Sequence, residues 1–340
     1  MNSAASDPVD LFTTCPTYDG SDSAAYIRRI CEVGRWSDNA GCKGILIYTD
    51  NSVVDPWLIS QMIIQNTRAL SPLVAVQAVY MHPYTVAKTV SSLSYLHNRQ
   101  MALNMVAGGF KNDLAALDDR TPHDKRYDRL VEYGTIIARL LAGGPPVTFE
   151  GEFYRVAQLS LKPPLAPELF PIITISGSSP AGLAAANSLG AIPVKYPEPP
   201  EQCAIQPALR NNGCGIRVGI IARELEEEAW KIAEGRFPPN RQGQIMHTLA
   251  MKISDSVWHR TLSELGEESQ GERNTYWLWP FQNYGTFCPY LVGSYEQVAN
   301  EVGRYLAAGY RTFILDVPAS EEDLTHIGNV FAEARQMVTV

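Results

Sequence analysis

The sequence predicts an α/β fold: a (β/α)8 TIM barrel with a small hairpin insertion and a long, lid-like insertion before the last strand. Short apolar runs alternate with longer amphipathic runs, which is typical of βα units and a parallel sheet. Eight short runs can be counted, nearly all followed by a helical run, and eight is the strand number of a TIM barrel. A doubly wound parallel sheet is the alternative, because weak strands are easily miscounted.

The predicted elements follow one another in strand–helix order. The apolar runs predict strands at 10–14 (DLFTT), 44–48 (GILIY), 72–77 (PLVAVQ), 101–106 (MALNMV), 172–176 (IITIS), 191–195 (AIPVK), 216–222 (IRVGIIA) and 312–316 (TFILD). The amphipathic runs predict helices at 22–40, 55–68, 84–97, 123–142, 179–189, 199–210, 224–235, 294–307 and 321–337. A chain of 340 residues suffices for one large domain or two small ones, and the strand count favours a single domain over residues 1–340.

Two stretches exceed what the barrel needs, at about 147–157 and 236–293. The first, VTFEGEFYRVA, alternates in polarity around Glu150–Gly151, so it predicts a hairpin. The second is less regular and holds seven aromatic residues between Tyr276 and Tyr290. A loop of this length is usually a lid or a binding loop, whereas packing against the barrel or a partner subunit explains the aromatic residues equally well.

Charge and composition argue against several classes of protein. The net charge of −8 and the pI near 5.3 argue against a nucleic-acid partner, which needs a basic face. No signal-peptide pattern and no apolar run of about 18 residues occurs, so we expect a soluble, cytoplasmic protein without a membrane partner. The six cysteines lack zinc-like spacing and are expected to be reduced thiols. No metal cluster, Ser-His-Asp set or pair of carboxylates emerges.

The turn SGSS, between a predicted strand and a predicted helix, is a candidate anion site. A helix N-terminus exposes unpaired N–H groups and partial positive charge. Gly177 allows close approach of a ligand, and Ser178 and Ser179 add hydroxyl groups. The alternative is a helix cap, with Ser178 or Ser179 as N-cap and Pro180 in the first turn.

Asn104 and Tyr127 are expected to lie near this turn. Asn104 stands near the end of a predicted strand, and Tyr127 lies one turn inside the helix that opens at Thr121–Pro122. In a TIM barrel, strand carboxyl ends and the first helical turns surround the active site. The alternatives are a half-buried helix residue for Tyr127 and a turn or core amide for Asn104.

The segments LNMVAGG, HDKRYDRLVEY, VTFEGEFYRV and PIITISGSS, in this order, resemble the bacterial luciferase-like flavin-dependent monooxygenases. The nearest branch is that of the alkanesulfonate monooxygenases. The resemblance covers nearly the whole chain and is weakest over 236–290. It implies a TIM barrel and a monooxygenase that uses dioxygen and reduced FMN, supplied by a partner flavin reductase. A homodimer is expected from this resemblance alone.

The resemblance also implies roles for individual residues. Carried over by position, Tyr127, Ser178 and Ser179 would bind the FMN phosphate, which makes the SGSS turn a phosphate cradle. The residues that would face the isoalloxazine ring are Ala75, Gln77 and Asn104.

The chain departs from that branch at positions expected to contact the substrate. Arg217 matches an arginine of the branch, but Gly219 stands where the branch has a histidine. Because residues two apart on a strand share a face, Gly219 is expected to open space beside Arg217. Val53 and Pro318 replace a cysteine and a tyrosine, so a sulfonate substrate is not expected. A larger organic acid or amide, or an acyl group tethered to a carrier protein, fits better.

Arg217 and His82 are the candidate catalytic residues. Arg217 would be a cation at the mouth of the barrel, and its alternative role is pairing with a barrel carboxylate. His82, in the loop YMHPYT, would donate a proton near the flavin, and its alternative is a structural turn histidine before Pro83.

Two other functions remain open at this point. The same barrel could belong to a deazaflavin-dependent oxidoreductase, which moves hydride without oxygen. A non-catalytic flavin-binding protein is the second, because the chain lacks polar residues that the branch places around its substrate.

Overall fold

The structure is a computed structural model that describes residues 8–202, 213–253, 257–268 and 273–339. The strands, in chain order, are β1 (Asp10–Thr14), β2 (Gly44–Ile47), β3 (Ser71–Gln77), β4 (Ala102–Val106), β5 (Val147–Glu150), β6 (Arg155–Leu159), β7 (Ile172–Ser176), β8 (Ile192–Lys195), β9 (Cys214–Arg223), β10 (Tyr276–Trp277), β11 (Tyr290–Ser294) and β12 (Tyr310–Leu315). The helices are α1 (Ser23–Asn39), α2 (Pro56–Asn66), α3 (Pro83–His97), α4 (Lys111–Ala116), α5 (His123–Ala142), α6 (Pro180–Leu189), α7 (Glu226–Arg236), α8 (Arg241–Ile253), α9 (Val257–Glu268), α10 (Trp279–Gln282), α11 (Tyr295–Ala307) and α12 (Glu321–Thr339).

Eight strands close into a parallel barrel, in the order β1-β2-β3-β4-β7-β8-β9-β12. The ring closes because β9 pairs with β8 on one side and with β12 on the other. A doubly wound sheet would leave two unpaired edges, so the predicted TIM barrel is confirmed and the alternative is excluded.

The predicted elements are largely present, with three differences. The eight predicted strands are all found, and 147–157 forms the predicted hairpin of β5 and β6. The predicted helix 199–210 begins as a short turn at Pro200–Gln202, and its remainder lies outside the described residues. Helix α4 and strands β10 and β11 were not predicted, and the described part of the 236–293 insertion contains the helices α8, α9 and α10.

Contacts between Cα atoms group the chain into two compact units. The N-terminal unit comprises Cys15–Asp38 and Lys43–Pro193. The C-terminal unit comprises Asn39–Cys42 and the described residues within Met1–Thr14 and Val194–Val340. That residues 1–340 form a single domain stays a prediction.

In the N-terminal unit, alternate residues of the sheet face the helices. These core residues are Val74, Val76, Leu103, Met105 and Ile175, which are buried with residues of α3, α5 and α6. Successive side chains of a strand point to opposite faces. The intervening polar residues, Gln77, Asn104, Thr174 and Ser176, therefore lie on the face of the sheet that points away from the helices.

The hairpin of β5 and β6 is attached to α5 through one carboxylate. The Glu132 side chain accepts hydrogen bonds from the backbone N–H groups of Glu152, Phe153 and Tyr154, at 2.7, 2.9 and 3.0 Å. A Cβ at Gly151 would lie 2.4 Å from a Glu132 carboxylate oxygen, so a side chain there would displace the carboxylate from these N–H groups. The hairpin is thus positioned by the helix that also carries Tyr127.

In the C-terminal unit, three of the seven aromatic residues from Tyr276 to Tyr290 are buried and the other four are half-buried. Trp277 and Tyr290 are buried in a cluster with Trp230 of α7, and the Trp277 ring meets the Trp230 ring edge-on at 5.5 Å. Phe281 is buried with residues of α9. The packing explanation of these residues is therefore confirmed, while a lid function stays a prediction.

The described cysteines are free thiols. They are Cys15, Cys31, Cys42 and Cys288, which are buried, and Cys214, which is half-buried. Burial raises the pKa of each thiol, to about 12 for Cys15 and Cys42. None of the helices in the described ranges combines the length and the apolar character needed to cross a membrane.

Candidate active site

Asn104 lies in β4, on the polar face of the sheet of the N-terminal unit. It pairs in register with Ala75 of β3 and Thr174 of β7. The hydroxyl groups of Thr174 and Ser176 donate hydrogen bonds to Asn104 Oδ1, at 2.8 and 3.0 Å. Thr174 was not singled out from the sequence, and Ser176 was considered only as part of the SGSS turn, although their spacing in IITIS places both on one face of a strand. They hold the buried Asn104 amide in one orientation.

Gln77 lies two residues beyond Ala75, at the end of β3, and is buried on the same face. Its amide nitrogen lies 3.2 Å from the position that a Cβ of Gly108 would take. Gly108 has a φ of +96°, in the left-handed region that favours glycine. A glycine in the loop after β4 therefore leaves room for the Gln77 amide.

The SGSS turn joins β7 to α6, as predicted. Ser179 is the N-cap of α6, and its Oγ accepts a hydrogen bond from the Gly182 N–H at 3.1 Å. The capping alternative is thus confirmed for Ser179. A Cβ at Gly177 would lie 2.5 Å from the Tyr127 hydroxyl oxygen. The absence of a side chain at Gly177 therefore lets Tyr127 approach the turn closely.

Tyr127 is buried in the first turns of α5, against this turn. Burial raises the pKa of Tyr127, while a hydrogen bond with Ser179 and the positive charge of Arg126 lower it in part. The structure therefore brings together Tyr127, Gly177 and Ser179. Since Ser176 contacts Asn104, the turn also reaches the polar sheet face.

Arg126 is a buried cation next to Tyr127 that sequence reasoning missed. Its Nη1 donates a hydrogen bond to the Thr121 carbonyl oxygen at 3.2 Å. The signal was present in the sequence, because DKRY places an arginine immediately before the tyrosine in the first turn of a helix. The guanidinium charge and the partial positive charge of the α6 N-terminus both favour an anion at this corner.

An ion pair fixes the start of α5. Arg129 Nη2 lies 2.6 Å from Asp119 Oδ2, with both side chains largely buried, and the Thr121 hydroxyl donates to Asp119 Oδ1 at 2.6 Å. Burial alone would raise the pKa of Asp119, but the hydrogen bonds from Arg129 and Thr121 outweigh it and lower the pKa to about 2. Asp119 is therefore ionised at neutral pH and anchors the helix that carries Tyr127.

His82 is exposed at the N-terminus of α3. Its Nδ1 accepts a hydrogen bond from the Tyr84 N–H at 3.2 Å, so the side chain caps the helix. The ring also meets the Tyr154 ring edge-on at 5.9 Å. His82 therefore has the structural role that was considered as the alternative. Its role as a proton donor stays a prediction.

Arg217 is buried in β9 of the C-terminal unit, where it is 5% exposed. Its Nη1 donates to the Tyr196 hydroxyl at 3.1 Å, and its Nη2 lies 3.4 Å from Asp316 Oδ1. Asp316 Oδ2 accepts hydrogen bonds from Thr286 and, at 2.9 Å, from Tyr290. The carboxylate pairing considered for Arg217 is therefore present. A role for Arg217 toward substrate stays a prediction.

The space expected beside Arg217 is absent. A Cβ at Gly219 would lie 2.3 Å from ring carbons of Tyr290, so the tyrosine ring fills the volume that glycine leaves. The expectation of a roomier mouth at this position is wrong. Burial raises the pKa of Tyr290 and of Tyr196 well above the usual value, so both phenols are neutral hydrogen-bonding groups in the Arg217 network.

Comparison with known proteins points to one family. A family model described as luciferase-like monooxygenase matches residues 9–312. A relative from Niallia circulans, 4-(gamma-L-glutamylamino)butanoyl-[BtrI acyl-carrier protein] monooxygenase BtrO, is 37% identical over 311 residues, which cover 90% of this chain and 91% of the relative.

Solved structures show the same fold at low sequence identity. DmoA from Hyphomicrobium sulfonivorans matches with a TM-score of 0.76 and 17% identity, covering 97% of this chain and 89% of that chain. EDTA monooxygenase (EmoA) from Chelativorans sp. BNC1 matches with a TM-score of 0.75 and 14% identity, covering 98% and 93%. At these identities the likeness concerns the barrel fold alone.

Proposed function

Because the chain belongs to the luciferase-like monooxygenase family, we propose that it uses reduced FMN and dioxygen to oxygenate an acyl group tethered to a carrier protein. One observation carries the proposal: the chain is similar, over almost its whole length, to a relative named for an acyl-carrier-protein substrate. We further propose that a separate flavin reductase supplies the reduced FMN and that the enzyme is a homodimer.

The corner formed by the SGSS turn and Tyr127 fits the phosphate group of FMN. It combines the N-terminus of α6, the hydroxyl groups of Tyr127 and Ser178, and the charge of Arg126. Ser178 is half-buried at the same turn, and its hydroxyl can donate to a phosphate oxygen. Hydrogen bonds to charged groups contribute about 1.5–3 kcal/mol each.

The polar sheet face fits the edge of the isoalloxazine ring. Both hydrogen bonds to Asn104 arrive at Oδ1, so its NH2 group is directed elsewhere and can donate to a ring acceptor. The amide of Gln77 lies on the same face and supplies a second polar group, while the small side chain of Ala75 leaves room between them. Ala75, Gln77 and Asn104 would therefore hold the ring, as the family resemblance implies.

Reduced FMN, when bound, would supply the electrons that activate dioxygen, because the oxygen chemistry belongs to the cofactor. The protein must orient the acyl group and exclude water from it. We assign the orienting role to Arg217, whose guanidinium group is set by Tyr196 and Asp316. The neutral phenols of Tyr196 and Tyr290 can exchange hydrogen bonds with a polar substrate without adding charge.

The test is an oxygenation assay with defined components. The protein is mixed with a flavin reductase, NADH, FMN, isotopically labelled dioxygen and an acyl carrier protein that bears a 4-(γ-L-glutamylamino)butanoyl thioester. We expect the acyl group to gain one labelled oxygen atom, as measured by mass spectrometry of the carrier protein. Turnover with a reduced deazaflavin in the absence of oxygen would instead support the hydride-transfer alternative. Binding of FMN without turnover of this or other acyl thioesters would support a non-catalytic protein.

A further inference from the structure

The outer side of helix α8 exposes a stripe of large apolar residues. Ile245, Met246 and Leu249 are 55%, 47% and 49% exposed. Their spacing of i, i+1 and i+4 places them on one side of the helix. Contiguous exposed apolar residues of this kind mark interaction surfaces. We call Ile245, Met246, Leu249 and the exposed Arg241 the α8 surface.

The opposite side of α8 is firmly packed, so the stripe is held outward. A Cβ at Gly243 would lie 1.9 Å from the Asn283 carbonyl oxygen, which shows how closely the helix approaches that segment. The Asn283 side-chain oxygen accepts from Gln244 Nε2 at 3.1 Å. His247 Nε2 lies 3.0 Å from Ser263 Oγ, and its ring meets Phe281 edge-on at 4.8 Å.

The charge of α8 differs from that of the chain. The helix sequence RQGQIMHTLAMKI contains Arg241 and Lys252 and no carboxylate, whereas the whole chain has a net charge of −8. An apolar stripe with the exposed cation Arg241 beside it is complementary to an amphipathic helix with acidic residues. In a symmetric contact between two copies, the same residues would face each other, so two positive helices would meet and repel.

The α8 surface belongs to the insertion that also reaches Arg217. Asn283, against which α8 packs, leads directly to Thr286, and Thr286 donates a hydrogen bond to Asp316, the ion-pair partner of Arg217. Tyr290, at the end of the same insertion, binds the same carboxylate. A partner bound on α8 would thus contact the same insertion that supplies the hydrogen bonds of Thr286 and Tyr290 to Asp316.

We infer that the α8 surface is the docking site for the carrier protein, through an acidic helix of the carrier. This inference rests on the proposed carrier-tethered substrate. It predicts that the surface contributes to binding of the carrier and contributes nothing to reaction with an acyl group that has no carrier.

The experiment compares two substrates with the same acyl group, one on the acyl carrier protein and one on pantetheine. For Leu249→Glu and Arg241→Glu we expect KM for the carrier-bound substrate to rise about tenfold or more, which is about 1.4 kcal/mol. The kcat/KM for the pantetheine thioester should stay unchanged. Leu225→Glu is the matched control, because Leu225 is 67% exposed at the N-terminus of α7, outside the α8 surface, and both substrates should react normally with it.

Direct binding separates this inference from the proposed function. Titration calorimetry with the acylated carrier protein should show binding to the wild type and to Leu225→Glu, and at least tenfold weaker binding to Leu249→Glu. If the wild type binds the carrier in this way but oxygenates neither thioester, the proposed reaction fails and the docking surface stands. The inference is overturned by equal carrier binding to all variants, by an equal loss of activity on both substrates, or by a Leu249→Glu variant whose defect is a change from dimer to monomer.

Discussion

Two of the tightest contacts near the candidate site join a tyrosine to a glycine. Tyr127 occupies the position that a side chain at Gly177 would need, and Tyr290 does the same at Gly219. In each case a ring and its hydroxyl come close to a strand or a strand end because no Cβ stands between them. The absence of one carbon atom therefore decides where each phenol lies, and with it the hydrogen bonds that reach Ser179 and Asp316.

The phosphate cradle can be tested by removing two hydroxyl groups. The double variant Ser178→Ala with Tyr127→Phe should raise the dissociation constant for reduced FMN about tenfold or more, because it deletes two charge-assisted hydrogen bonds. Anaerobic fluorescence titration measures this constant.

The matched control is Ser94→Ala with Tyr133→Phe. These two hydroxyl groups are also buried, and within the described ranges they have no hydrogen-bond partner, so the control should bind reduced FMN normally. Unchanged affinity in the cradle variant would refute the phosphate assignment.

Some of these residue contacts were accessible from the sequence and some were not. The SGSS turn, Tyr127 and Asn104 could be expected to converge, because all three stand at strand ends or helix starts of one barrel. The group that fills the space at Gly219 could not be predicted from the sequence. Tyr290 lies far from Gly219 in sequence and reaches it through the pairing of β11 with β9. The role of Asp316 as a shared acceptor was missed for the same reason.

At the scale of elements, strand β9 is unusual because its first half and its second half pair with different strands. The half from Cys214 to Val218 pairs with β12 in the barrel, and the half from Gly219 to Arg223 pairs with β11. Gly219 stands where the pairing changes. Its backbone N–H donates to the Pro289 carbonyl oxygen at 2.9 Å, while the Tyr290 ring covers its Cα.

Gly219→Ala should therefore destabilise the protein. The new methyl group would meet the Tyr290 ring and force it away from β9, at a cost of about 1–3 kcal/mol typical of overpacking. Urea unfolding measures the change as a lower midpoint. Gly235→Ala in α7 is the control, because a Cβ there meets nothing within 4 Å and alanine favours a helix over glycine by about 1 kcal/mol. A Gly219→Ala variant as stable as the wild type would contradict the packing described here.

Long periodic elements were predicted well, and short elements in the insertion were not. Strands such as β3 and β4 are mostly apolar, and helices such as α5 repeat their buried residues along one face, so local pattern identifies them. Strand β11 was missed because its sequence, YLVGS, follows an aromatic run without alternation. Its pairing with β9 on one side and with β10 on the other makes it a strand.

At the scale of the whole molecule, the chain carries 36 acidic and 28 basic residues. Its stability in acid depends on those carboxylates whose pKa values are lowered by folding. Asp119 is one of them, with a folded-state pKa of about 2 against about 3.9 in an unfolded chain. Between these values the unfolded state binds more protons than the folded state. The stabilisation that ionised Asp119 contributes is therefore complete above about pH 4 and is lost as the pH falls toward 2.

Asp119→Asn should lower the free energy of unfolding at pH 7 by roughly 2 kcal/mol, since each pKa unit corresponds to about 1.4 kcal/mol. The difference between variant and wild type should shrink when unfolding is measured at pH 3. Asp128→Asn is the control, because this carboxylate of α5 forms an exposed pair with Lys125, which contributes about 0–1 kcal/mol. A difference at Asp119 that is independent of pH would contradict the ion-pair explanation.

The burial of the cysteines has a consequence for an enzyme that handles dioxygen. Peroxide attacks thiolates, which are the reactive form of cysteine. With a pKa of about 12, Cys15 and Cys42 are ionised at neutral pH in only about one molecule in a hundred thousand. The other described cysteines also have raised pKa values. We therefore expect these buried thiols to resist oxidation by peroxide.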